Sequence, residues 1–204
     1  MTIGYGMKDT AEKDKTGIKH QLETSMRIEK ALYENFVDII YNVSQTMIEA
    51  YRHNKKLLWM GNGGSAADAQ HLSCELVSKF YLERKALSSV ALTTNTSLLT
   101  AISNDFTFDT VFERQVEALA QSGDILIGIT TSGRSPNVIK AFKKGKTMHT
   151  TNIALTGSYI HDIDAYSDYV IAVPSEETPR IQEAHILIGH ILCQLVESAL
   201  FAGK

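Results

Sequence analysis

Two stretches of this sequence have the makings of anion cradles. Gly61-Asn62-Gly63-Gly64-Ser65 places three glycines in four residues, which lets the backbone turn sharply and bring its N–H groups close to a ligand. Ser65 reads as a helix N-cap, with Asp68 at the capping-box position three residues on. Thr130-Thr131-Ser132-Gly133-Arg134-Ser135-Pro136 offers four hydroxyls and one glycine before a proline. Ser135 suits an N-cap and Pro136 a first helical residue. Hydroxyls, free backbone N–H groups and the positive end of a helix together bind phosphate or carboxylate. Neither stretch is GxGxxG, and no GK[ST] follows. Without a lysine clamp or an acidic partner for magnesium, a sugar phosphate fits better than a nucleoside triphosphate. Each loop alone can equally be a tight turn that caps its own helix.

His71 and Glu75 are four apart in the helix that the glycine loop opens. That spacing puts both side chains on one face, about 6 Å apart along the axis, an arrangement common to metal ligands and to surface helix pairs. The C-terminal segment carries Gln182, His185 and His190 within a stretch that is apolar nearly all round. A histidine there is either a satisfied core residue or a general base or metal ligand, and the sequence does not choose between His185 and His190. Asn104 and Asp105 can hydrogen-bond sugar hydroxyls or end a helix. Cys74 and Cys193 read as small packing residues.

The elements that must position these groups alternate in kind. Five short apolar runs, 56–60, 89–92, 125–129, 152–155 and 169–173, are too short for free-standing helices and lack strict alternation. Such runs suit strands buried on both faces of a parallel sheet. Helical segments lie between them at 65–80, 96–103, 108–121 and 136–146, and a long one follows at 179–201. The pattern predicts a doubly wound, three-layer αβα domain with a five-stranded parallel sheet. Ligands in such sheets bind at the carboxyl ends of the strands, which is where both loops fall. Ahead of the first strand, Leu22, Met26, Leu32, Phe36, Ile39, Ile40, Val43 and Met47 recur at mostly helical spacing. They predict a helix or helix pair over 18–53, either a lid on the core or an oligomer interface. Residues 1–17 are polar without an apolar period and read as a mobile segment; 18–204 reads as one domain.

Composition narrows the function classes. Hydrophobic residues at 44% exclude disorder over most of the chain, and a net charge of −3 argues against a nucleic-acid partner or a polybasic membrane anchor. No uninterrupted apolar run approaches a membrane span. There is no signal-peptide core, and two cysteines without CxxC spacing exclude a disulfide scaffold. The expected compartment is the cytoplasm.

GNGGSAADAQHLSCEL (61–76), ISNDFTFDTVFERQVEAL (102–119), ITTSGRSPNVI (129–139) and RIQEAHILIGHILCQLVE (180–197) together resemble the SIS (sugar isomerase) domain, and more closely its phosphoheptose isomerases. The resemblance spans most of the chain from Ile18 onward. It implies an aldose–ketose isomerase that converts sedoheptulose 7-phosphate to D-glycero-D-manno-heptose 7-phosphate through an enediolate, for bacterial surface-polysaccharide heptose. It implies that Asn62, Gly63, Gly64 and Ser65 contact the sugar, and that Thr130, Thr131, Ser132 and Ser135 hold the phosphate. Asn104 and Asp105 would lie near the reacting end. His71, Glu75, Gln182 and His190 would surround one zinc ion per subunit, Glu75 and Gln182 also touching substrate, with Glu75 and His190 as the acid/base pair. A homotetramer with sites between subunits is implied too. Two positions depart from the family: Thr130 stands for a serine, and Lys79 for an arginine, which Lys cannot replace in bidentate phosphate contact. Gln182 and His190 are ~12 Å apart along a straight helix. Both reach one ion only if it sits between them; otherwise the helix starts after Gln182, or another subunit supplies a ligand. The rival functions are a non-catalytic SIS scaffold that binds a replication initiator and an isomerase of another phosphosugar.

Overall fold

The computed structural model describes residues 4–202. In chain order the helices and strands are α1 (Gly4–Asn35), α2 (Val37–Arg52), β1 (Leu57–Gly61), α3 (Gly64–Val77), β2 (Ser89–Ala91), α4 (Thr96–Asp105), α5 (Val111–Leu119), β3 (Ile125–Thr130), α6 (Pro136–Thr147), β4 (Thr151–Thr156), β5 (Tyr169–Ala172) and α7 (Thr178–Phe201). Short 3₁₀ turns at Phe108–Thr110 and His161–Tyr166 complete the connections. All five strands are parallel, in the order β2-β1-β3-β4-β5. Each expected strand is present, with ends shifted by a residue or two.

Residue alternation along the strands divides the core. Leu57, Trp59, Ile125, Ile127, Ile153 and Leu155 face one way, against α2, α3 and α7. Leu58, Met60, Leu126 and Ala154 face the other way, against Val111, Phe112, Val116, Val138 and Phe142 of α5 and α6. This makes the expected three layers. At the amino edge of the sheet the buried Asp124 carboxylate accepts from the backbone N–H groups of Lys56 and Gln121, at 3.0 and 2.7 Å. It thereby aligns the starts of β1 and β3.

The chain runs from β1 outward to β2, then crosses back to β3 on the other side. The topological switch point therefore lies between β1 and β3, where a doubly wound sheet opens a crevice. Gly61 pairs with Ile129 in register, so the two loops that follow these strands stand side by side.

Residues 1–3 lie outside the described residues, and α1 begins at Gly4, so most of the polar stretch 1–17, read as a mobile segment, is helical. It contains no proline, and good helix formers let a helix already nucleated downstream extend. Ser65 is not an N-cap. Gly63, at φ +57°, holds that place, and Ser65 is buried within the first turn. The left-handed conformation that only glycine adopts without strain starts the helix two residues early. The N-terminal helices bend at Phe36 without Pro or Gly, and the backbone bonds Phe36 N to Leu32 O and Ile40 N to Phe36 O bridge the bend.

α7 is long and apolar enough to cross a membrane by length and composition alone. Here it is a core helix. Ile181, Ile188, Leu192 and Val196 are buried with the α2 and α3 residues of the same cluster.

Candidate active site

The two loops at the switch point are locked to each other. Asn62 Nδ2 donates to Asn137 Oδ1, and Asn137 Nδ2 donates back to Asn62 Oδ1, both at 2.9 Å. Asn137 Oδ1 also accepts from Val138 N. Asn137 is 1% exposed, so this amide pair fixes the gap between the loops from beneath. Sequence reading gave Asn137 no role. It follows the hydroxyl-rich run directly, but its partner lies far away in sequence and no period links them.

In the second loop, Ser135 is the N-cap of α6 and Pro136 opens the helix, as expected. The Ser135 hydroxyl, however, bonds to Thr130 Oγ1 at 2.9 Å rather than to the helix. Thr130 is buried, so it supports Ser135 from below. Gly133 has φ +66°, and a Cβ there would lie 2.6 Å from Tyr159 O; the turn requires glycine. Ser132 Oγ accepts from Arg134 N at 3.2 Å. The carbonyl of Thr131 is held by Gly157 N at 3.1 Å. Hydroxyls and N–H groups thus collect at the positive end of α6.

α3 and α7 lie side by side and run in the same direction. Gly64 packs against Gln182, Leu72 against Gly189, and His71 meets His190. A Cβ on Gly64 would stand 2.8 Å from Gln182 Cδ, and one on Gly189 would meet the Leu72 side chain closer than contact distance. The two glycines allow this close approach. Halfway along the pair, His71 Nε2 and His190 Nε2 are 2.9 Å apart, and His71 Nε2 is 3.4 Å from a Glu75 carboxylate oxygen. Ligand atoms of His71, Glu75 and His190 all lie within 4.8 Å of one another. Two imidazole nitrogens facing each other beside a carboxylate match the donor set of a zinc-type ion. Three protein ligands are also the number found in catalytic sites that keep a position open for substrate.

Gln182 belongs to the other end of the pair. α7 starts at Thr178, before Gln182, so the helix does not break between Gln182 and His190. Within one chain, the Gln182 side chain lies over the glycine loop. Asn104 and Asp105 end α4, exposed, and hydrogen-bond each other at 2.9 Å; among the described residues neither is bonded to the two loops or to the histidines.

The two α7 histidines separate cleanly. His185 is 0% exposed, with Nε2 bonded to Thr156 O at 3.0 Å, while Nδ1 has no partner among the described residues. Burial holds its pKa down to about 4, with the Thr156 bond opposing in part, so it is neutral core. His190 faces the ligand group. Asp68, expected in a capping box, instead has a buried Oδ2 without a partner, and burial pushes its carboxyl above the usual range. Cys193 packs in the core, its thiol pushed up to about 12 by burial first. Cys74 is exposed rather than packed. Lys79 is exposed in the segment after α3.

A parallel αβα sheet with two polar loops at its switch point is the architecture of a phosphosugar-binding SIS domain, and the family model for that domain matches residues 22–157. The phosphoheptose isomerase of Clostridium acetobutylicum is 48% identical over 192 residues, covering 93% of this chain and 98% of that protein. Phosphoheptose isomerase 2 of Campylobacter jejuni is 52% identical over 171 residues, covering 84% and 85%. The solved phosphoheptose isomerase of Neisseria gonorrhoeae superposes with a TM-score of 0.86 at 40% identity over 90% of this chain and 98% of that one. That of Francisella tularensis gives 0.88 at 32% identity over 91% and 98%. The chain belongs to the phosphoheptose isomerase family.

Proposed function

We propose that this protein interconverts sedoheptulose 7-phosphate and D-glycero-D-manno-heptose 7-phosphate, supplying heptose for a bacterial surface polysaccharide. The observation that carries the reading is the His71/Glu75/His190 group on two neighbouring helices, α3, which starts at the glycine loop, and α7, whose Gln182 packs against Gly64 of that loop. The first loop and His71 are separated by seven residues of α3, ~10 Å along the axis. That span leaves room for a sugar chain between the paired loops and the ligand group.

In this reading Ser132, Ser135, Thr131 and the N–H groups at the start of α6 hold the phosphate, with Thr130 beneath them. Asn62, Gly63, Gly64, Ser65 and Gln182 line the sugar chain. Glu75 and His190 act as the acid/base pair. The proton leaves carbon 1 of the ketose, an enediolate forms, and the proton returns at carbon 2, while the hydroxyl proton passes from O1 to O2. Glu75, partly shielded from water, is suited to the carbon-bound proton, and His190 to the proton moving between oxygens. A zinc ion in the His71/Glu75/His190 group would supply positive charge to the enediolate oxygens; because one lone pair cannot ligate tightly and take up a proton at once, Glu75 and His190 would do acid/base work only when not tightly coordinated. An isomerisation assay on a panel of phosphorylated ketoses, with and without chelator, tests the assignment. Turnover confined to other sugars, or none at all, would overturn it.

Ser132→Ala combined with Ser135→Ala should raise KM about tenfold or more and leave kcat nearly unchanged. Hydrogen bonds to a charged group are worth ~1.5–3 kcal/mol, and a phosphate remote from the reacting carbons binds ground and transition states alike. Steady-state kinetics would show the reverse, unchanged KM with a large fall in kcat, if this loop touched the reacting end.

The assembly proposed is a homotetramer in the cytoplasm, each chain contributing one domain over 18–204. Its support is an uncovered stripe on the N-terminal helices: Ile18, Leu22 and Met26 are 58–60% exposed, whereas Leu32, Ile40, Val43 and Met47 further along are buried. Closed symmetry would bury that stripe between chains and let Asn104 and Asp105 of one subunit reach the site of another. The exposed free thiol of Cys74 suits a reducing compartment. Light scattering at micromolar concentration should give four times the chain mass; an active monomer would refute sharing of sites.

A further inference from the structure

Arg84 and Glu197 lie outside the ligand group, yet they touch both elements that set its spacing. Glu197 stands seven residues after His190 on α7, two turns along, and so on the same face. Its side chain and that of Arg84 are each 2% exposed, with Nε 3.0 Å from the carboxylate. The carboxylate also accepts from the backbone N–H groups of Phe80, Tyr81 and Leu82, at 2.9, 2.6 and 2.9 Å. These bonds fix the segment just past α3, and they set the Phe80 ring 5.6 Å from the His190 ring.

Arg84 works on the other helix. The last carbonyls of a helix have no partner within it. Arg84 Nη2 donates to Glu75 O at 2.9 Å, and Nη1 donates to Leu76 O and Ser78 O at 2.7 and 3.2 Å. The guanidinium therefore caps the turn of α3 that carries Glu75, where a cation also suits the negative end of the helix. One buried carboxylate is thus tied to Glu75 through Arg84 and to His190 through Phe80. A buried ion pair is seldom more stabilising than an apolar pair of the same volume. An apolar pair, however, could not cap three carbonyls and gather three N–H groups.

We infer that the Arg84–Glu197 ion pair is a positioning device that holds Glu75 on α3 and His190 on α7 at the spacing a bound cation requires. The inference rests on the metal-dependent reading of the site given above. It makes Arg84 and Glu197 positioning residues, since neither reaches the ligand atoms.

Two variants test it. Glu197→Gln keeps the shape and removes the charge; Arg84→Lys keeps the charge but cannot fork to the carbonyls of 75, 76 and 78. Zinc affinity is measured on metal-free protein by competition with a chromophoric chelator, alongside circular dichroism and a thermal melt. Kinetics on sedoheptulose 7-phosphate follow at saturating zinc. Both variants should remain folded at 25 °C, with zinc Kd weakened ~10–100-fold, the range for losing a partner that orients a ligand. Turnover should fall with kcat while KM stays within about twofold, because the phosphate loop is remote. Parental zinc affinity in folded Arg84→Lys would overturn the inference, even if its melting temperature dropped, because a purely structural clamp predicts that result. If Glu197→Gln does not fold, Arg84→Lys decides alone. A parent protein that neither binds zinc nor turns over the heptose phosphate would instead overturn the site reading, and this inference with it.

Discussion

Glu75→Gln and His190→Ala should each lower turnover by ~10²–10⁴-fold, the usual loss when a general acid or base is removed. Both side chains sit in the group whose ligand atoms lie within 4.8 Å of one another, so both losses should appear in kcat rather than in phosphate binding. The amide in Glu75→Gln keeps the volume and hydrogen-bonding reach of the carboxylate but cannot take up a proton at working pH. His190→Ala removes a ring that packs between His71 and Phe80, so a modest loss of stability is expected as well. Circular dichroism separates that loss from the chemistry. Because the two residues act on one proton-transfer path, the double variant should be little worse than either single one. Near-normal kcat in both single variants would remove the isomerase assignment.

The largest effect away from the catalytic group is expected from acid. His185 is fully buried, and burial holds its pKa down to about 4 against the ordinary 6.5. Between those values the unfolded chain binds a proton that the native chain does not. Stability contributed by neutral His185 is therefore present above pH ~6.5, is lost as pH falls towards ~4, and changes no further below that. The linkage amounts to about 3 kcal/mol. His185→Gln keeps a donor for the Thr156 carbonyl without a titrating ring. Urea midpoints at pH 7 and pH 4.5 should fall steeply in the parent and much less in the variant. Equal falls would show that carboxylates alone carry the acid sensitivity.

The sheet was readable from the amino-acid order because its strands are buried on both faces. Ile125–Ile129, for example, needs no polar alternation when α3 covers one side and α6 the other. The hydroxyl loop and the His71/Glu75 pair were readable for a related reason, since each is a local pattern on one turn or one helix face. What was not readable depends on distant partners. Arg84 and Glu197 are 113 residues apart, and Asn62 and Asn137 are 75 apart, so neither pair leaves a periodic trace. His185 and His190 share a helix that is apolar nearly all round, and only the packing of Thr156 against one and His71 against the other assigns them. The capping motif at Ser65 competes with Gly63, which at φ +57° takes the N-cap place two positions earlier.

Because α3 and α7 run in the same direction, no tight turn can join them. His71 and His190 are 119 residues apart, and nearly the whole sheet is threaded between them. Such a long closure forms late, after the entropy of bringing distant segments together has been met. During synthesis the glycine loop and His71 emerge early, but they stay without His190 and Glu197 until the last helix leaves the ribosome and docks. All five strands and both loops therefore leave the ribosome before Gln182, His190 or Glu197, and the sheet face that α7 covers through Ile181, Ile188, Leu192 and Val196 stays uncovered until then. Order of synthesis makes α7 the last element to arrive and the one that closes both the core and the ligand group.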